Sequence, residues 1–159
     1  MNKIIIASLL TIPFIIGCGG DSSRPTDLPP LFPCVVTITQ DGQPLDGATV
    51  SFASADTSAG AKYQATAITD DTGKAVATTY GFDGVPAGKY KVCVWKTLTE
   101  PGKQIRDGYG DLVDAPGTEY RTVDPKYSFA DSTPHEIEIV GKGTPPASFD
   151  VGKPVKIKK

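Results

Sequence analysis

His135 is the chain's single histidine, and a general base would first be sought there. Ser132 and Glu136 flank it, the residue types of a Ser-His-acid triad. Spread over five consecutive positions at one strand entry, the three cannot readily converge on a shared point. No Gly-x-Ser-x-Gly elbow occurs in the chain. With one imidazole, a metal site built from several histidines is impossible within a single chain. The cysteines lack zinc-type spacing, and Asp70-Asp71-Thr72-Gly73 lacks the alternating oxygen ligands of a calcium loop. No catalytic residue, metal or cofactor is therefore expected. A cryptic hydrolase around His135 is the weakest alternative.

The more informative chemistry is at the three cysteines, Cys18, Cys34 and Cys93. Lys3 opens a short basic segment, and residues 4–16 follow without a charge. That apolar run is shorter than the ~20 residues a membrane-spanning helix needs. It ends in Ile15-Ile16-Gly17-Cys18, which resembles the lipobox of bacterial lipoproteins. The resemblance implies diacylglycerol transfer to the Cys18 sulfur, cleavage before it and acylation of the new amino terminus. Residues 1–17 are then a lipoprotein signal peptide, and the partner is the membrane, reached through the N-terminal lipid. Gly19 after the cysteine is consistent with export to the outer membrane of a two-membrane bacterium. Residues 18–33, rich in Gly, Ser and Pro, read as a tether. With Cys18 acylated, Cys34 and Cys93 remain, and an exported pair is expected to form a disulfide. The strand pattern opposes this, because alternation points Cys34 inward with Val36 and Ile38 but Cys93 outward between Val92 and Val94.

Residues 34–159 are poor in helix formers and rich in Val and Thr, as β-structure requires. Strands are expected at 34–39, 47–53, 63–69, 74–80, 89–96 and 135–140, with short ones at 147–151 and 155–158. Turn chemistry separates them at 40–43, 70–73 and 84–88. In 89–96 the inner face is Tyr90, Val92 and Val94. This pattern predicts an all-β antiparallel sandwich. Three segments carry a further resemblance. Residues 40–52 (Gln-Asp-Gly-Gln-Pro-Leu-Asp-Gly-Ala-Thr-Val-Ser-Phe), 69–75 (Thr-Asp-Asp-Thr-Gly-Lys-Ala) and 85–92 (Val-Pro-Ala-Gly-Lys-Tyr-Lys-Val) are similar, in the same order, to motifs of carboxypeptidase regulatory-like domains. That family implies a seven-stranded transthyretin-like sandwich.

Residues 97–132 form a turn-rich insert that the family motifs do not explain. Tyr109, Tyr120 and Tyr127 are interleaved there with Arg106 and Arg121. With Trp95 just before it, the insert is expected either to bind through these residues or to be pinned by its tyrosines onto the sandwich, with a short helix or strand pair hidden in it. A net charge of −2 offers no basic face for nucleic acid. Two functions remain open: a non-catalytic structural or interaction module of the cell envelope, or an accessory domain that binds a glycan or peptide. Envelope proteins and glycans are the candidate partners.

Overall fold

The computed structural model describes residues 24–55, 62–102, 104–106, 108–109, 112–141 and 144–159. The expected signal segment, Cys18 and residues 56–61 lie outside them. The fold is all-β, with no α-helix among the described residues. Its strands are β1 (Leu31–Phe32), β2 (Val35–Gln40), β3 (Gln43–Pro44), β4 (Thr49–Ser54), β5 (Ala65–Ile68), β6 (Lys74–Val76), β7 (Thr78–Thr79), β8 (Phe82–Asp83) and β9 (Val85–Pro86). They continue with β10 (Gly88–Trp95), β11 (Thr97–Glu100), β12 (Gln104–Arg106), β13 (Leu112–Asp114), β14 (Thr118–Arg121), β15 (Glu136–Ile139), β16 (Ala147–Asp150) and β17 (Ile157–Lys158).

A six-stranded sheet runs β15-β10-β4-β5-β7-β8, and β2 organises a second sheet with β16, β3 and β6. Alternation along the strands gives each sheet one apolar face. Val50 and Phe52 of β4, Ala65 and Ala67 of β5, and Tyr90, Val92 and Val94 of β10 meet Val36 and Ile38 of β2 and Ala75 of β6 in one core. Most pairs are antiparallel, but β16 runs parallel to β2, Ala147 facing Val36 and Phe149 facing Ile38. β15 of the six-stranded sheet is followed in the chain by β16 of the second sheet.

The sandwich includes part of the tether. Leu28 is buried, β1 pairs antiparallel with β9, and Phe32 packs against the core. Asp27 forms an ion pair with Lys62, just before β5. These contacts lie at the end of the six-stranded sheet where β10 begins. Gly88 is paired there with Ile139, and Ser54, the last residue of β4, with Tyr90.

The insert contains strands. β11 pairs with β14, β14 with β17, and β12 with β13. β11 with β14 and β12 with β13 therefore pair as a two-stranded ribbon that follows β10. Gly102 allows its close crossing, because a Cβ there would lie 2.0 Å from the carbonyl oxygen of Ala115. Outside the ribbon, β17 is the one strand paired with it among the described residues. Replacing residues 101–117 by Asn-Gly keeps the Glu100–Thr118 pair and closes β11 to β14 with a two-residue hairpin turn. The sandwich should stay folded, since changing loop length costs little closure entropy. Its melting temperature, followed by circular dichroism, should move by a few degrees at most; loss of the cooperative transition would place the ribbon in the core.

Candidate binding cleft

Residue parity along β10 sends Tyr90, Val92 and Val94 into the core and Lys91, Cys93 and Trp95 to the outer face. Beyond Trp95 the chain is held at Lys96. Its Nζ donates to the carbonyl of Asp46 at 2.5 Å, and its own carbonyl accepts from the backbone N–H of Thr122 at 3.1 Å. The two-residue period continues into β11, which places Thr97 on the same side as Trp95. Arg121 lies directly opposite Thr97 across the β11–β14 pair.

The other wall comes from the loop after β14. Asp124 accepts from the N–H of Lys126 at 2.9 Å and opens a single 3-10 turn, Pro125–Tyr127, which drives the Tyr127 ring into the core. Ser128 follows, with its Oγ donating to the carbonyl of Val94 at 3.3 Å. Phe129 is left on the outside, its carbonyl accepting from the N–H of Thr133 at 2.9 Å. Trp95, Thr97, Arg121, Ser128, Phe129 and Lys159 thus line a cleft of about 320 Å³, at the lower end of the range usual for small-ligand sites. Trp95 is 37% exposed and Phe129 56%.

The cations in this cleft differ in their partners. Lys159 Nζ pairs with Glu119 Oε2 at 3.0 Å. Arg121 has no carboxylate within ion-pair distance among the described residues. Two other depressions are less suited to a ligand. One of about 260 Å³ beside Lys89, Glu136 and Glu138 has Glu136 already paired with Lys91. One of about 510 Å³ is the open crease of residues 24–31.

Of the residues singled out in the sequence, the structure brings together Trp95 and Arg121. Tyr120 is on the opposite face of the ribbon, under Lys156 Nζ at 4.5 Å. Tyr109 is at the distal turn, 95% exposed. Arg106 belongs to β12, and its side chain lies outside what the structure describes. Tyr127 lies in the core, its ring turned inward at the 3-10 turn. Phe129 and Lys159 went unnoticed in the sequence. A lone Phe between Ser and Ala gives no periodic signal, and Lys159 arrives only through β17.

The expected disulfide is not present: Cys34 and Cys93 are free thiols. Cys34 is 1% exposed within the core, whereas Cys93 is 5% exposed on the other face of β10, in register with Ser51. The sheet stands between the two sulfurs, so the alternation that opposed the bond prevails. Burial pushes the Cys34 thiol up to about 11 and raises that of Cys93, which keeps both protonated and unreactive.

His135 stacks on Tyr127 with ring centroids 5.1 Å apart, lies 5.0 Å from Phe149, and has Nε2 3.0 Å from the carbonyl of Asp150. Burial among these rings lowers its pKa below the usual histidine value. Ser132 Oγ donates to the carbonyl of Lys126 at 2.7 Å, and Glu136 Oε1 binds Lys91 Nζ at 2.5 Å. Hydroxyl, imidazole and carboxylate are each engaged elsewhere and do not form a triad. Among the described residues no group of three or more His, Cys, Asp or Glu side chains could hold a metal ion.

The fold and the cleft define an all-β sandwich with an aromatic, cation-bearing surface site. No protein-family model, no curated protein and no solved structure matches the chain.

Proposed function

We propose that this chain is a lipid-anchored, non-catalytic interaction module of the bacterial cell envelope, held in the outer membrane through acylated Cys18. On this reading its body is a carboxypeptidase regulatory-like sandwich of transthyretin-like, seven-stranded type. The polarity of the sandwich carries the proposal. The N-terminal segment docks where β10 begins, through the β1–β9 pair and the Asp27–Lys62 contact. The cleft and the ribbon lie at the other end of β10, seven positions on at Trp95, or about 23 Å away. A module anchored through its N-terminus presents those surfaces away from the lipid.

The family motifs support the architecture by the work their residues do. Asp70 Oδ1 accepts from the N–H groups of Thr72 and Lys74, both at 2.9 Å, closing the hairpin turn. Thr69 Oγ1 accepts from the N–H of Ala48 at 2.8 Å, joining two motif segments. Tyr90 donates its hydroxyl to the carbonyl of Pro86 at 3.0 Å within the third.

Lipid labelling tests the anchor. Produced in a bacterium with the lipoprotein pathway, the full chain should incorporate labelled palmitate and partition into detergent. Cys18→Ser should abolish both, and label retained in that variant would overturn the proposal. The second reading, an accessory domain for glycans, is favoured by one observation: Trp95 and Phe129 share a cleft with Arg121, which has no carboxylate partner among the described residues.

A further inference from the structure

We propose that the cleft binds a saccharide bearing a carboxylate, its ring faces stacked on Trp95 and Phe129 and its carboxylate paired with Arg121. The inference rests on the reading of the chain as an interaction module and names the ligand class of its cleft.

Three features converge on this class. The first is the alternation of ring and hydroxyl. Trp95 and Phe129 are accompanied by Thr97 and Ser128 in the lining, and Thr49 lies beside Trp95 across the β10–β4 pair. A pyranose has the complementary surface, with apolar C–H faces for the aromatic rings and a rim of hydroxyls for polar side chains. The second feature is charge. Lys159 is neutralised by Glu119, which leaves Arg121 as the cation in the lining without a carboxylate partner among the described residues. One guanidinium balances the single charge of a carboxylate and matches its two oxygens in a planar fork. A phosphate monoester carries a charge of about −1.5 to −2 at neutral pH and would be left only partly compensated.

The third feature is framing. Trp95 and Thr97 stand on consecutive strands with Lys96 tied to Asp46 between them, and Arg121 is fixed opposite Thr97 by strand register. Ser128 is joined to the backbone of β10 at Val94, and Phe129 follows it directly. The ring of Trp95 and the head group of Arg121 therefore project from a strand-paired surface. Such preorganisation favours a small rigid ligand.

Trp95 is the chain's one tryptophan, so its emission reports on the cleft alone. The detergent-solubilised full chain would be titrated with trigalacturonate and with the disaccharide of N-acetylglucosamine and N-acetylmuramic acid, whose lactyl group supplies the carboxylate. Maltotriose and chitobiose serve as neutral counterparts of matching size. At least one acidic probe should shift Trp95 emission saturably, and its neutral counterpart should bind more weakly. Arg121→Gln should weaken that binding about tenfold or more, as expected for loss of a charge-assisted hydrogen bond. Arg121→Lys should restore part of it, and Phe129→Ala should weaken it without changing the far-ultraviolet circular dichroism. The proposal is overturned if neither acidic probe moves the emission at millimolar concentration. It is equally overturned if the neutral sugars bind as well, or if Arg121→Gln leaves affinity unchanged. None of these results touches palmitate incorporation at Cys18, so failure of the cleft and failure of the anchor are separable.

Discussion

Phe52→Ala is expected to lower the unfolding free energy by about 3–5 kcal/mol, the usual range for truncating a buried aromatic ring. Phe52 is 1% exposed at the middle of β4, opposite Val92 on one side and Ala65 on the other. The cost should fall in the upper part of the range because of what surrounds the ring. Ala48, Ala65, Ala67, Ala75 and Ala77 are all buried in the same cluster. Alanine has no rotamer with which to refill a void, so the cavity left by the phenyl group would persist. For a domain whose whole stability is of the order of 5–15 kcal/mol, that is a large fraction. Urea unfolding followed by tryptophan emission should show the midpoint falling with little change in slope. A loss below about 1 kcal/mol would show that Phe52 does not organise the core.

Gly73→Ala should be comparably damaging although it adds only a methyl group. Gly73 has φ of +75°, in the left-handed region where a side chain costs about 1–2 kcal/mol. The added Cβ would also lie 2.4 Å from the carbonyl oxygen of Ile38 and 3.2 Å from the nitrogen of Leu45. Both atoms are backbone and already bonded: Leu45 N–H donates to Ile38 O at 3.0 Å, and Ile38 N–H donates to Gly73 O at 2.8 Å. Relief of the clash requires the 70–73 turn to withdraw from β2, breaking the second of these bonds. The expected cost is about 3 kcal/mol or more, read as a fall in the urea midpoint. Ala at Gly42, where a Cβ meets nothing within 4 Å, is the control for backbone strain alone. Equal losses at the two glycines would refute the packing argument.

These sites differ in how far the sequence alone exposes them. The alternation at Val50, Phe52, Tyr90, Val92 and Val94 is local, and so is the Asp-Asp-Thr-Gly turn, so both are legible from neighbouring residues. The parallel pairing of β16 with β2 is not, because its partners are more than a hundred positions apart and nothing local encodes direction. The ribbon is masked by its own Gly and Pro residues, which break each strand before alternation can build up. Tyr127 reads equally as a binding aromatic or as a pin for the insert until the 3-10 turn after Asp124 sets it in the core. The cleft is assembled from β10, β11, β14, the loop at 128–129 and the residue after β17, and only Trp95 and Arg121 carry a signal in their residue type. The disulfide expectation followed the habits of exported proteins, whereas the geometry followed parity along β10.

The docking of the N-terminal segment sets a stand-off height. Were the whole of 18–33 a free leash, the domain could drift roughly 50 Å from the bilayer, at 3.3–3.6 Å per residue. Arg24 already donates to the carbonyl of Pro29, and Leu28 is buried. Arg24 is only six positions on from Cys18, a reach of about 20 Å at full extension. On the proposed anchoring, the base of the sandwich stays within about 20 Å of the lipid surface. A ligand is then met a full β10 length farther out, at an elevation set by the fold and not by a slack chain.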